Sequence, residues 1–276
     1  MGEYSADALT RWAVEAISQK LKLREKPLII ALSGAQGSGK STQSGRWAQE
    51  LQERGHPGLV LSLDDFYLPK HTRQVLADSV HSLSATRGPP GTHDTQRLIS
   101  TLEAIAAGTS TRIELPIFSK ADDDRAKEEF HEFEALKWVI VEGWCMGISR
   151  SEVSMHELQC PIFQEPNAEV WRAWVQASID TDWSRLDALC DWSVYLRISE
   201  FESIVDARWR QEEALKKDSG RSQFKSRDEV RAFVSLYEPW TLRMASSEEL
   251  WADHTFDVGP GYTYREVKHP QLGLEP

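Results

Sequence analysis

The octapeptide Gly34-Ala35-Gln36-Gly37-Ser38-Gly39-Lys40-Ser41 constrains this chain of 276 residues more than any other stretch. It follows the apolar run 28–32, set off by Pro27, and opens a helical pattern over 41–54 that stops at Gly55. Strand, glycine-rich turn and helix in that order satisfy GxxxxGK[ST] in the context the motif requires. The glycines let backbone N–H groups turn inward around a phosphate, and the helix start adds positive potential. Lys40 then reaches the outer phosphates, and the Ser41 hydroxyl is placed to ligate Mg²⁺. Gly34, Gln36, Gly37, Ser38, Gly39, Lys40, Ser41 and Thr42 form the expected nucleotide-binding set, with ATP and Mg²⁺ as the implied cofactors.

The rest of the chain has the rhythm of an α/β fold. Leu9, Trp12, Ala13, Ala16, Ile17 and Leu21 recur at helical spacing behind the N-cap candidate Ser5. Short apolar runs at 28–32, 59–63, 138–141 and 192–198 read as buried strands. Helical patterns fall between them at 95–107, where Asp94 caps, and at 168–183, then follow at 201–217 and 227–237. Strands alternating with helices predict a parallel sheet flanked by helices. A strand at 112–115 is expected to lead into a polar loop over 119–127; 70–92 reads as irregular, and the tail around Val258-Gly259-Pro260-Gly261 as loop. The length fits one domain over 1–276, with an N-terminal helix in 1–26 and a helical lid at about 201–226.

Composition removes several functional classes. With 32 Lys+Arg against 43 Asp+Glu the net charge is -11, which argues against a nucleic-acid partner. No apolar run approaches a membrane span. The N-terminus shows neither a signal sequence nor a myristoylation pattern, so the expected location is cytoplasmic. Cys145, Cys160 and Cys190 show no paired spacing, and the histidines no HxxxH, so neither a disulfide framework nor zinc is expected. Trp12, Trp171 and Trp174 lie on apolar helix faces and read as core packing.

Carboxylates end two of the strands. Asp64 and Asp65 close the second, and Glu142 closes 138–141, at the sheet edge where ligands of parallel sheets bind. Phosphoryl transfer needs a carboxylate there to receive the acceptor's proton or to orient the metal. On extended backbone, adjacent side chains point oppositely, so one of the two aspartates is expected to face the phosphates. Cations for the transferring group or an anionic acceptor are offered by Arg87, by Arg208 and Arg210 on the helix after the last strand, and by Lys120 and Arg125.

In this order, the motifs resemble the P-loop small-molecule kinases of the uridine kinase, phosphoribulokinase and pantothenate kinase group. Within it the chain looks most like the plant and fungal D-glycerate 3-kinases. The similarity is carried by residues 34–41, Ser62-Leu63-Asp64-Asp65-Phe66-Tyr67, Arg87-Gly88 with Gly91-Thr92-His93-Asp94, Val141-Glu142-Gly143-Trp144, Trp209-Arg210-Gln211, Asp228-Glu229-Val230 and Phe233-Val234-Ser235. The resemblance implies a kinase that moves the γ-phosphate of MgATP to a hydroxyl of D-glycerate. It implies Asp64, with Asp65 second, as base; Lys40 and the lid arginine Arg210 as charge-offsetting groups; and Ser41, Asp64 and Glu142 around the metal. It places Asp65, Tyr67, Arg87, Thr92, His93, Asp94 and Lys120 about the acceptor. In this chain Pro89-Pro90 replace smaller residues, and a stretch that is basic in the group is the acidic Ala121-Asp122-Asp123-Asp124-Arg125. Two alternatives stay open at this level: a related kinase for a nucleoside or pantothenate-like acceptor, with Phe66, Tyr67 or Phe118 as a stacking slot, and a non-metabolic ATP-binding switch.

Overall fold

A computed structural model describes residues 3–108, 112–132, 135–151, 160–219, 222, 224–246 and 250–267. In chain order the elements are β1 (Glu3–Tyr4), α1 (Ala6–Leu21), β2 (Leu28–Gly34), α2 (Lys40–Glu53), β3 (Gly58–Ser62), α3 (Lys70–Ser79) and α4 (Thr95–Ala107). β4 (Arg112–Ser119), β5 (Asp124–Glu132), β6 (Trp138–Gly143), α5 (Ala168–Ser178), α6 (Ser184–Ala188) and β7 (Trp192–Arg197) follow. The chain then forms α7 (Phe201–Ser219), α8 (Arg227–Val234), α9 (Glu238–Ser246), β8 (His254–Gly259) and β9 (Thr263–Val267).

The main sheet runs β1-β9-β8-β7-β2-β6-β3. The five strands from β8 to β3 are parallel, and β9 and β1 add an antiparallel edge. β2 sits between β6 and β7 and is buried along its whole length. Its alternating side chains serve two cores. Leu28, Ile30 and Leu32 meet α1 and α2 through Leu9, Ala13, Ile17, Trp47 and Leu51. Ile29 and Ala31 join Leu98, Leu102, Trp171, Val175 and Trp240 on the opposite face. A strand covered on both faces must read as continuously apolar, and 28–32 does so for this reason. Trp47, Trp138, Trp171, Trp183, Trp192 and Trp240 are fully buried. Among the described residues no helix is long and apolar enough to cross a membrane.

Three segments depart from the sequence reading. Residues 70–79, read as irregular, form α3. This helix is anchored by the buried Arg73, which donates to the carbonyls of Leu68, Ala85 and Asp123 instead of burying an apolar stripe. The expected 119–127 loop shortens to a turn at 120–123, because β5 pairs with β4 as a separate antiparallel ribbon. β5 is largely exposed and rich in charged residues, so no apolar signal marks it. The tail read as loop at 258–261 is the end of β8 and the start of the 260–262 turn of the β8–β9 hairpin. Residues 152–159, and the tip of the expected lid near 220, lie outside the described residues.

Candidate active site

Parallel strands deliver their C-terminal ends to one edge, and here the loops of β2, β3 and β6 converge there. The turn after β2 needs its glycines. Gly37 and Gly39 take left-handed backbone at φ +81° and +87°. A Cβ on Gly37 would come within 2.3 Å of the Ala207 methyl, and one on Gly39 within 2.8 Å of the Tyr264 hydroxyl. Among the described residues no side chain caps α2 after Gly39. Its first N–H groups are left for an anion, which is what a phosphate-binding helix start requires. Gly34 and Ser38 lie beneath the loop: Ser38 is fully buried, and a Cβ on Gly34 would collide with it. Those two residues therefore shape the loop rather than line its mouth.

A cavity of about 290 Å³ opens in front of the loop. Gln36, Gly37, Gly39, Lys40, Ser41 and Thr42 form its donor side. Asp64, Tyr67, Arg87, Lys120, Trp144, Phe233 and Tyr237 form the facing wall, with Arg208 and Gln211 from α7 and Tyr262 from the β8–β9 turn at its margins.

Asp64 and Asp65 sit on a single tight helical turn, Leu63–Phe66, rather than on extended backbone. They still part company. Asp64 lines the cavity, accepts from the Tyr67 hydroxyl at 3.0 Å and pairs with Lys120 Nζ at 2.7 Å. Burial pushes its carboxyl up, but the Lys120 and Lys40 ammonium groups and the two hydrogen bonds outweigh burial and bring it down to about 2. Asp65 turns away from the acceptor position expected for it and accepts from Phe118 N–H at 3.2 Å. Burial, helped by the charge of Asp64, raises its pKa despite that bond. It anchors the β4–β5 ribbon.

Arg87 and its neighbours separate in the same way. Tyr237 donates to the Arg87 carbonyl at 2.9 Å, and Trp144 Nε1 to the Gly88 carbonyl at 3.1 Å, so the backbone is pinned behind the guanidinium. Asp123, at the ribbon tip, pairs with Arg87 and, at 3.1 Å, with Arg73. The acidic stretch thus supplies counter-ions to two buried arginines. Thr92, His93 and Asp94 do not line the cavity, contrary to expectation. Thr92 accepts from Gly88 N–H and donates to the Pro89 carbonyl, closing the turn. Asp94 caps α4 and pairs with Arg125 at 3.1 Å. His93 is buried behind Tyr67, ring centroids 4.5 Å apart, and burial lowers its pKa to about 3, so it is neutral. Main-chain bonds between 66–68 and 92–94 hold these layers together.

On α7, Arg208 and Gln211 face the cavity, whereas Arg210 is exposed on another face. Two residues along a helix rotate a side chain by about 200°, so the pair Arg208 and Arg210 cannot share a face. Arg208 pairs with the buried Glu212 at 2.5 Å. The i, i+3 spacing of Arg208 and Gln211 was the signal available in the sequence. Trp144 and Phe233 fall in stretches that match the family but are given no site role there, and Tyr237 lies outside every motif; each reaches the wall from a different segment.

Glu142 is buried at the end of β6 and accepts from the Ser41 hydroxyl at 2.9 Å and the Ser62 hydroxyl at 3.1 Å. Among the described residues no group of three or more His, Cys, Asp or Glu could hold a metal ion by itself. A hydroxyl beside one carboxylate suits Mg²⁺, which keeps several waters and shares its shell with substrate phosphates. Gln36 Oε1 and Ser38 Oγ, at the same loop, are buried and find no hydrogen-bond partner among the described residues.

A phosphate-binding loop on the central strand of a parallel sheet, faced by a carboxylate from the end of a nearby strand, is the working edge of a P-loop phosphotransferase. The chain is 31% identical over 233 residues to the Schizosaccharomyces pombe protein described as uncharacterized kinase mug58, covering 81% of this chain and 83% of that one. The chain belongs to the glycerate 3-kinase-like family of P-loop kinases. It is 26% identical over 223 residues to the chloroplastic D-glycerate 3-kinase of Arabidopsis thaliana, a match covering 77% of this chain and 46% of that protein. The solved D-glycerate 3-kinase of Cryptococcus neoformans superposes with a TM-score of 0.73 at 22% identity, over 94% of this chain and 99% of that one, which shows the shared fold. No family model matches the chain.

Proposed function

We propose that this kinase transfers the γ-phosphoryl group of ATP to a hydroxyl of D-glycerate, giving 3-phosphoglycerate. The observation that carries the reading is the cavity itself: an ionised Asp64 and the cation Arg87 stand across from Lys40 and Ser41. A small hydroxy acid offers the matching groups, a hydroxyl for Asp64 and a carboxylate for Arg87. Relatives described as D-glycerate 3-kinases add weight to this acceptor.

In the proposed reaction the loop amides and Lys40 hold the phosphates while Asp64 orients the acceptor hydroxyl. The new P–O bond forms to that oxygen, the bond to the β–γ bridging oxygen breaks, and the proton passes to Asp64. A carboxylate held at about 2 is a weak base. It suffices where the transition state is loose and the proton leaves late. Lys40 and Arg208 offset charge on the transferring group. Ser41, Glu142 and Asp64 are the residues that would hold Mg²⁺, and the ion would supply positive charge to offset that of the phosphates.

A nucleoside acceptor finds less support in the residues suggested for stacking. Phe66 is core, Phe118 lies under the Arg73 and Arg87 guanidiniums, and one face of Tyr67 covers His93. ADP release is therefore to be followed with MgATP and D-glycerate, L-glycerate, uridine or pantothenate. Stimulation by D-glycerate alone is the expected outcome. Stimulation by uridine or pantothenate instead would transfer the pocket to another acceptor, and release unmoved by any of the four would count against an acceptor of this kind.

A further inference from the structure

The sheet order gives the cavity a direction. β3 and β6, which carry Asp64 and Glu142, lie on one side of β2, and β7 and β8 lie on the other. β3 and β8 each stand two strands from β2, about 10 Å away at ordinary strand spacing. Four aromatics of the cavity wall belong to the Asp64 side: Tyr237 bonds the Arg87 carbonyl and touches both Trp144 and Phe233, and Tyr67 bonds Asp64. The fifth, Tyr262, stands at the opposite margin, on the turn that follows β8.

Tyr262 is held there at a conformational cost. Its φ is +58°, a left-handed backbone that glycine adopts freely and tyrosine does not, and the residue is 48% exposed rather than sunk in the core. Its ring also lies against the phosphate loop, since a Cβ on Gly39 would be 3.3 Å from it. Beneath it the buried Tyr264 sets its hydroxyl close to Gly39 of that loop. A triphosphate seated on the loop, with its γ-end toward Asp64, points its nucleoside end toward this ring.

We propose that Tyr262 is a binding residue for the phosphate donor, stacking its ring on the nucleoside base, so that the β8–β9 hairpin separates nucleotides from bare polyphosphates. This inference rests on the nucleotide site described above but not on the identity of the acceptor. The test is equilibrium binding of ADP and of inorganic tripolyphosphate to the full chain, wild type, Tyr262→Phe and Tyr262→Gly. Glycine suits the left-handed turn, so Tyr262→Gly is expected to melt no lower than wild type. Its ADP affinity is expected to fall about tenfold, the size of one base–aromatic stack. Its tripolyphosphate affinity should be unchanged, and Tyr262→Phe should match wild type for both ligands. Equal losses for both ligands would overturn the proposal, because the ring would then act on the loop rather than on a base. Unchanged ADP affinity in Tyr262→Gly would overturn it as well. A wild-type chain that bound neither ligand would instead remove the nucleotide site on which the inference stands.

Discussion

On one side of the cavity Gly37, Gly39, Lys40 and Ser41 come from a single turn. On the other, Asp64, Arg87, Lys120, Trp144 and Tyr237 arrive from five separate segments. The first wall presents backbone N–H groups whose direction is set by local dihedrals. The second presents side chains whose positions depend on what stands behind them: Asp123 behind Arg87, Tyr67 and Lys120 around Asp64, Tyr237 under the Arg87 carbonyl. A loop written in consecutive residues tolerates changes elsewhere. A wall assembled from distant residues fails when any support fails, and its failure should spare the donor site.

The largest effect is expected at Asp64. Asp64→Asn keeps size and hydrogen bonding but removes the proton acceptor, so kcat should fall by about 10²–10⁴ while ADP affinity stays near wild type. Steady-state kinetics with parallel ADP titration checks both. If ADP binding fell as well, the separation of the two walls would be broken.

Arg87→Lys should raise the acceptor KM by about tenfold or more with little change in the KM for ATP, because lysine loses the planar fork. On α7, Arg208→Lys retains the charge that the buried Glu212 needs, yet should lower kcat by about tenfold, whereas Arg210→Ala should stay within about twofold. A reversal of those two would return the transferring phosphate to Arg210.

Gly88→Ala tests a support directly. A Cβ there would meet the Tyr237 hydroxyl at 2.1 Å, and φ is +135°, so stability should drop by about 1–3 kcal/mol in a urea melt. The smallest effect is a pH shift. Removing the ammonium in Lys120→Ala should raise the Asp64 pKa from about 2 toward 3.8. Asp64 is depressed in the folded state, so its contribution to stability is present above pH 3.8 and is lost as pH falls toward about 2. The variant should lose less stability across that window, and the acid limb of its kcat/KM profile should move to higher pH.

The donor loop, β2 and α4 were legible in the residues because each answers to a local rule: glycines at left-handed positions, an unbroken apolar run, Asp94 as an N-cap. α3 was hidden, since a buried arginine bonded to three carbonyls replaces the apolar stripe that periodicity detects. β5 and the β8–β9 hairpin were hidden by exposure and by a Pro-Gly turn that also suits a loop. The run Thr92-His93-Asp94 could be found as a motif, but motif spacing does not distinguish a residue in the wall from one that braces it.

By itself, then, the sequence determined an α/β sheet with a phosphate site on its central strand and carboxylates at the same edge, because periodicity, glycine placement and strand ends are local properties. Only the tertiary structure decided that Asp64 rather than Asp65 meets the cavity, that Arg208 rather than Arg210 does, and that Asp123 answers Arg87. Those choices depend on which face of a turn or helix packs against a neighbour distant in the chain, and packing between distant segments leaves no fixed spacing to read.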